Sequence, residues 1–449
     1  MDNIELYKEK YRPQFHFTAK ENWLNDPNGL TYYDGEYHLF FQYNPKGLDW
    51  GPNTWGHAIS TDLVHWKQIQ HAIEPDEYGW IWSGSGVVDW KNTAGLKNGN
   101  ENAMIAIYTT GGYGQPTNLC VQDIAYSNDN GRTWYRYENN PVLRHIVASN
   151  RDPKVIWYEP TQKWIMALYL DASVYAIFSS SNLKDWVGQT VINLPGASEC
   201  PDIFELPVDG DKENKKWVFW GGNGNYYIGS FNGDRFQPES DVLRADYGAN
   251  FYAGQTWSDI PESDGRRIQI AWMAGGKYPN MPFNQQMSFP CELTLRTTSK
   301  GIQMYRLPVK EIELLRKNGF SWSNQRIGKD SNLLSNVNGD LFDIYTEFEL
   351  SDANEFGFKI HGEVVKYDFR AKQLSFLGRI AHLEPIESKI KLQILIDRTS
   401  IEVFGNDGQL SMSSCFLPDL DNLGIDVYAL GGEVLISSMN IYELHSAWI

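Results

Sequence analysis

Three carboxylates stand in settings that suit acid–base and nucleophilic chemistry. They are Asp26 in Trp23-Leu24-Asn25-Asp26-Pro27-Asn28-Gly29, Asp152 in Asn150-Arg151-Asp152-Pro153, and Glu199 in Ser198-Glu199-Cys200-Pro201-Asp202. Two carboxyl groups flanking a sugar are what cleavage of a glycosidic bond requires. Each residue also has a plain structural reading. Asn-Asp-Pro-Asn-Gly is a strong turn sequence, Asp152 beside Arg151 reads as a structural ion pair, and Glu199 reads as a solvated loop residue. The functional reading gains weight only if the fold brings the three together.

A repeat supplies that reason. The β-rich runs Tyr37–Gln42, Met104–Tyr108, Trp164–Tyr169, Trp217–Trp220 and Ile268–Trp272 recur at intervals of about 50 to 67 residues. The first four are each followed by a strand, a Ser/Asn/Asp turn and an aromatic: His57–Trp66, Ile124–Trp134, Ala176–Trp186 and the degenerate Tyr227–Phe236. Each repeat opens on its own element, Asp26–Leu30, Ser83–Val88, Arg151–Ile156, Glu199–Phe204 and Tyr252–Trp257. Five units of about four strands predict a five-bladed β-propeller over residues 1–308. The opening elements then line the central channel, and Asp26, Asp152 and Glu199 meet at its mouth. Past Pro308, Val309–Gly319 reads as a short helix stopped by Asn-Gly, giving a helical linker over 309–324. Alternating strands such as Phe342–Leu350 and Lys391–Asp397 then predict a β-sandwich over 325–449, an all-β chain throughout.

Bulk properties narrow the partners. The 449 residues, 42% hydrophobic and 21% charged, describe a globular chain with room for two domains. A net charge of −17 argues against nucleic acid and anionic membrane, and favours a neutral ligand such as a sugar. No run reaches the roughly 20 apolar residues of a membrane span. The opening Met1–Lys8 lacks an apolar signal core, so the expectation is a cytoplasmic protein or one whose leader has been removed. Cys120, Cys200, Cys291 and Cys415 form no Cys-x-x-Cys pair and read as reduced, buried thiols rather than a zinc or disulfide framework. The 17 Trp, 25 Tyr and 21 Phe read mostly as core, with a minority for sugar stacking.

At these motifs the sequence resembles glycoside hydrolase family 32, the β-fructosidases that include invertases, levanases, exo-inulinases and sucrose-phosphate hydrolases. The resemblance rests on Trp23–Gly29, Arg151-Asp152-Pro153 and Glu199-Cys200. It extends through Phe41–Pro45, Trp50-Gly51, Trp55-Gly56-His57, Trp82–Ser85, Gly265-Arg266-Arg267 and the C-terminal Leu395–Phe404. It implies a retaining hydrolase of terminal β-fructofuranosyl linkages in levan, inulin or sucrose. Asp26 matches the nucleophile, Glu199 the acid/base and Asp152 the transition-state stabiliser. Asn25, Gln42, Trp50, Ser83 and Arg151 match positions that hold or wall the fructosyl unit, with Trp82 beside them. No metal or cofactor is implied. The stretch Trp272–Lys277 lacks the aromatic that relatives often carry at the position of Gly276, and Met281–Pro290 also differs. Trp82–Asp89 looks more like fructan hydrolases than sucrose-phosphate hydrolases. Alternatives on the same scaffold are a fructosyltransferase, an endo-fructanase or an intracellular sucrose(-phosphate) hydrolase. A non-catalytic fructan-binding propeller predicts the loss of an acid, and an arabinan-type glycosidase lacks these motifs. Oligomeric state is not specified. Three chemical expectations follow: Asp26 needs hydrogen-bond donors to stay charged, Arg151 keeps Asp152 ionised, and burial beside two anions keeps Glu199 protonated.

Overall fold

The computed structural model describes residues 5–112, 119–419 and 422–448; Met1 to Ile4, part of the segment without a signal core, lie outside the described residues. The chain is nearly all β and consists of a propeller followed by a β-sandwich. The propeller strands form five groups in chain order. Their inner strands are Asn22–Tyr33, Trp80–Val88, Arg151–Tyr158, Asp202–Val208 and Tyr252–Thr256. The fourth and fifth groups merge through one parallel pair, Val208 with Leu295. The ring closes where Asn22 and Trp23 pair in parallel with Phe283 and Asn284.

The recurring Ser/Asn/Asp turns are one device used repeatedly. Asp62, Asp129 and Asn182 each accept backbone N–H groups two to four residues ahead. The indoles of Trp66, Trp134 and Trp186 then donate to the carbonyls of Leu63, Gly131 and Leu183 at 2.9, 3.0 and 3.0 Å. Each turn therefore closes on itself and pins its aromatic in place. The degenerate fourth copy keeps the side-chain cap through Asn232 and places Phe236 where the others have Trp.

The expected helical linker is corrected. Only Lys310–Leu315 is helical, as a 3-10 turn, and Arg316–Ile327 is already an edge strand of the sandwich. Ile312 and Leu315, three apart, point into the core, which suits three residues per turn. Asn318-Gly319 does not stop a helix, because Gly319 pairs with Tyr442 of the strand Val434–Leu444. Sheet pairing overrides the helix-forming composition of this stretch.

The sandwich packs a six-stranded sheet on a five-stranded one around Phe348, Phe356, Tyr367, Ile394 and Met439. The six-stranded sheet also docks onto the propeller. His16, fully buried, bonds Asp397 through Nδ1 at 2.9 Å and Glu402 through Nε2 at 2.8 Å. Glu402 also accepts from the backbone N–H of Phe289 and from Ser413. Arg306 reaches Asp246 at 3.2 Å, and Ser411 and Ser413 donate to the same carboxylate. A buried chain of charges thus spans the contact between the two units.

Candidate active site

The inner strands share a local irregularity at one end. Between Leu24 and Pro27, Ile81 and Gly84, Arg151 and Lys154, and Tyr252 and Gln255, the inner strand advances three residues while its neighbour advances two. Each is a one-residue β-bulge, which re-aims side chains that a regular strand would turn away. The residues inside the first three bulges are Asn25-Asp26, Trp82-Ser83 and Asp152-Pro153. In the fourth blade a left-handed pair, Glu199 at φ 53° and Cys200 at φ 32°, does the same work ahead of the strand. Asp152 is also left-handed, at φ 62°. Such conformations cost about 1 kcal/mol or more each and persist where surrounding structure enforces them.

These devices converge on one cavity of about 330 Å³. All nine residues singled out from the sequence line it: Asn25, Asp26, Gln42, Trp50, Trp82, Ser83, Arg151, Asp152 and Glu199. Trp50 is 44% exposed at the rim, with its ring 5.2 Å from that of Trp80, so it is a wall of the mouth and not blade core. The ring of Trp82 lies where any side chain at position 112 would stand, so Gly112 leaves it room. Below the mouth the channel is filled. Lys154 donates to the carbonyl of Thr256 at 2.9 Å and pairs with Asp202 at 3.3 Å, and Asp202 accepts from both the backbone and the hydroxyl of Thr256.

The three carboxylates have different surroundings. Asp26 is half-buried and receives Ser83 Oγ at 2.7 Å and Asn25 Nδ2 at 3.2 Å, with Cys200 Sγ 3.7 Å away. Burial raises its pKa and the charge of Glu199 adds to the rise, while Ser83, Asn25 and Cys200 oppose it. Asn25 is itself fixed by the Trp23 indole at 2.8 Å. Asp152 accepts from the Cys200 backbone N–H at 3.2 Å and lies 3.5 Å from its thiol. Burial pushes its pKa up to about 7; Arg151 opposes this, and the charges of Asp26 and Glu199 add to it.

One expectation is qualified here and one is corrected. Arg151 pairs with Asp152 through Nε at 3.7 Å and lowers its pKa, as expected, but burial outweighs it, and the same guanidinium also donates to Glu199 and to Ser149. The ring of Tyr169, 4.7 Å away, sets that direction. Burial was expected to act on Glu199, yet its side chain remains 28% exposed, with one oxygen on Arg151 and the other on the Tyr252 hydroxyl. The strongly desolvated acids are the other two.

Two contributors were missed from sequence. Cys200 is free and stands between Asp26 and Asp152. Burial and the three carboxylates hold its thiol well above the usual range, so it stays protonated and donates. The reading of the four cysteines as plain thiols gave it no chemical part, although Glu199-Cys200 is one of the motifs that carry the resemblance. Tyr252 opens the fifth repeat, the position from which the other blades supply site residues, and that register was its only signal. Among the described residues no cluster of three or more His, Cys, Asp or Glu could hold a metal ion.

A propeller mouth carrying three carboxylates, walled by tryptophans and plugged beneath, defines a carbohydrate-active site of the glycoside hydrolase class. Comparison with known proteins agrees. The Glycosyl hydrolases family 32 N-terminal domain matches residues 16–308 and the Glycosyl hydrolases family 32 C terminal matches residues 311–443. The chain belongs to glycoside hydrolase family 32. A levanase of Bacillus subtilis (strain 168) is 44% identical, over 98% of this chain and 72% of that protein. The crystal structure of exo-inulinase from Aspergillus awamori superposes with a TM-score of 0.89 at 29% identity, covering 98% of this chain and 100% of that one. A fructofuranosidase from Schwanniomyces occidentalis, complexed with fructosylnystose, gives 0.88 at 29% identity over 99% and 100%.

Proposed function

We propose that this protein is a retaining β-fructosidase that releases terminal fructose from fructans such as levan or inulin, and from sucrose. The observation that carries the reading is the convergence of Asp26, Asp152 and Glu199 in one pocket with different partners for each. Asp26, held by Ser83 and Asn25, attacks the anomeric carbon of the fructosyl unit. Glu199 gives its proton to the leaving glycosidic oxygen, and a fructosyl ester forms on Asp26. Glu199 then takes a proton from water as the water opens that ester. Two inversions return the original configuration.

Asp152 accepts from sugar hydroxyls, and with the other acids it favours the positive charge that develops at the ring oxygen and anomeric carbon. Cys200 bridges Asp26 and Asp152 as a neutral donor and keeps the two anions from repelling each other apart. The Nε2 of Gln42, buried at the cavity wall without a partner in the protein, is placed to donate to a substrate hydroxyl. The Lys154–Asp202 plug beneath the pocket favours a chain end over a chain interior.

Product analysis over time on sucrose, inulin and levan tests the reading. Fructose as the first and sole new monosaccharide from the two polymers supports it. Early oligosaccharides or lengthened chains would replace it with an endo-fructanase or a fructosyltransferase.

A further inference from the structure

The second blade carries a cleft of about 610 Å³ at the end opposite the catalytic mouth, where the catalytic pocket itself measures about 330 Å³. Ser83 stands in that pocket near the start of the inner strand Trp80–Val88. At the other end of the strand Val88 is in register with Met104, and Met104 with Ser127. Tyr126 and Asn128, on either side of Ser127, line the cleft. The step from Ser83 to Val88 along the strand is roughly 16 Å, so a ligand of one or two sugar units does not span both sites.

Two walls make the cleft, and both are held in place. One is the link that follows the inner strand, residues 89–103, where the first and fourth blades use only residues 34–35 and 209–210. Asp89 is fully buried and fixes the first turn of this link. It accepts from the backbone N–H groups of Thr93 and Ala94 at 2.9 and 2.8 Å and from the Thr93 hydroxyl at 3.0 Å. The other wall is the outer part of the blade, where Tyr126 of the strand Val121–Ser127 pairs directly with Tyr135 of the strand Tyr135–Arg136. Their rings lie 5.8 Å apart at 37°, and Tyr135 is 57% exposed. Asn128 ties the walls together. Its Oδ1 accepts from the Asn98 N–H at 2.9 Å, and its Nδ2 donates to the Leu96 carbonyl at 3.1 Å. The charged groups here are engaged within the protein. Lys97 Nζ donates to Asn102 at 3.0 Å, and Asp129 accepts from Ser127 and Thr133 inside its own turn.

We propose that this cleft is a second, non-catalytic binding site for a neutral polysaccharide, and that it holds a fructan chain at a point remote from the end being hydrolysed. The choice of fructan rests on the β-fructosidase reading. An exposed pair of aromatic rings offers faces to the C–H groups of a sugar. The Asn98 amide and the two phenol hydroxyls line the same cleft and add neutral donors and acceptors, which suit sugar hydroxyls. The net charge of −17 turns away an anionic chain. A polymer coil held at the cleft keeps its chain ends at a raised effective concentration near the mouth. The site therefore acts on polymer and leaves sucrose untouched.

The test is affinity electrophoresis of the full chain in gels containing levan or inulin, with Asp26→Ala as the background so that the polymer is not consumed. Tyr135→Ala and Asn98→Ala, on opposite walls, are added to it singly. The first should raise the apparent dissociation constant for polymer roughly tenfold and the second roughly fivefold, the scales of losing one aromatic contact and one hydrogen bond. In the otherwise native chain the same substitutions should lower kcat/KM on levan by similar factors and leave sucrose unchanged. Both side chains are exposed, so thermal midpoints should stay within a few degrees. Retardation that neither substitution alters, or a loss equal on levan and sucrose, overturns the site while leaving β-fructosidase activity standing. A wild type that frees no fructose from levan, inulin or sucrose overturns the functional reading, and the gels then decide the cleft by themselves. Sedimentation covers the other occupant: a wild-type dimer that Tyr135→Ala dissociates would show a second copy in the cleft and would overturn the proposal.

Discussion

The different jobs proposed for Asp26 and Glu199 rest on their different neighbours. Asp26 is held by three short side chains that donate to it, which fixes the carboxylate in the orientation the proposed nucleophile needs. Glu199 reaches into the wetter part of the pocket, where proton exchange with substrate and water is possible. Glu199→Gln should lower kcat/KM on sucrose by about 10²–10⁴. A fructoside whose leaving group departs without a proton, such as a nitrophenolate, should show a much smaller loss in its first step; steady-state and burst kinetics on both substrates check this. Asp152 carries a stability consequence. Its folded pKa of about 7 lies above the ordinary 3.8, so the folded state binds a proton that the unfolded chain has released. Stability therefore falls as pH rises from about 4 to about 7, and the buried charge is a liability above that. Asp152→Asn keeps the shape and tolerates φ 62°. It should abolish turnover yet raise unfolding free energy at pH 8 by about 3 kcal/mol or less, with no gain at pH 4, as measured by denaturant titration. The three acids were legible in the sequence because they sit at one register of a repeat. Cys200 and Tyr252 were not, since a lone thiol and a tyrosine in an aromatic-rich chain both look like core.

At the scale of elements, the bulges position the chemistry. In the four bulged blades a Pro or Gly stands in or just after the bulge, at Pro27, Gly84, Pro153 and Gly254, where a missing N–H or a missing side chain is tolerated. Gly84 shows how tight this is. A Cβ there would lie 2.1 Å from the carbonyl oxygen of Ile107, while the Gly84 N–H donates to Asn28 at 3.1 Å. Gly84→Ala must move backbone directly beside Ser83 and should cost about 3 kcal/mol of stability together with most activity. A fall in the urea midpoint measures the first and kcat the second. The strand–turn–aromatic repeat was readable because it is written in side chains, and its caps use the residues that marked it. The bulges were not readable, because register is a relation between two strands. The stretch after Pro308 misled for a related reason: its composition favours helix, and only the distant strand Val434–Leu444 makes it β.

For the whole molecule, the contact between propeller and sandwich is electrostatic as well as apolar. Phe15, Phe17, Leu395 and Phe404 share one core across it, and His16 stands between Asp397 and Glu402 with both ring nitrogens engaged. Both can donate only if the ring is protonated, and the two carboxylates raise its pKa to about 9 against the burial that lowers it. A raised folded pKa gives stability that is complete below the unfolded value near 6.5 and is lost as pH climbs through about 9. Thermal midpoints should therefore decline between pH 6.5 and 9.5. His16→Gln should be less stable at pH 6 and should lose much of that decline; calorimetry across the range checks both. None of this coupling was visible in the sequence, because His16 and Glu402 are joined only by the folded chain.

The central claim is that Asp26 carries the fructosyl group while Glu199 manages the proton. The direct measurement is mass spectrometry of Glu199→Gln after brief exposure to a fructoside with an activated leaving group, followed by peptide mapping. The account predicts a gain of one anhydrofructose unit on the peptide containing Asp26, and no gain in the Asp26→Ala, Glu199→Gln double variant. An adduct on another residue, or product of inverted anomeric configuration with no adduct at all, would contradict it.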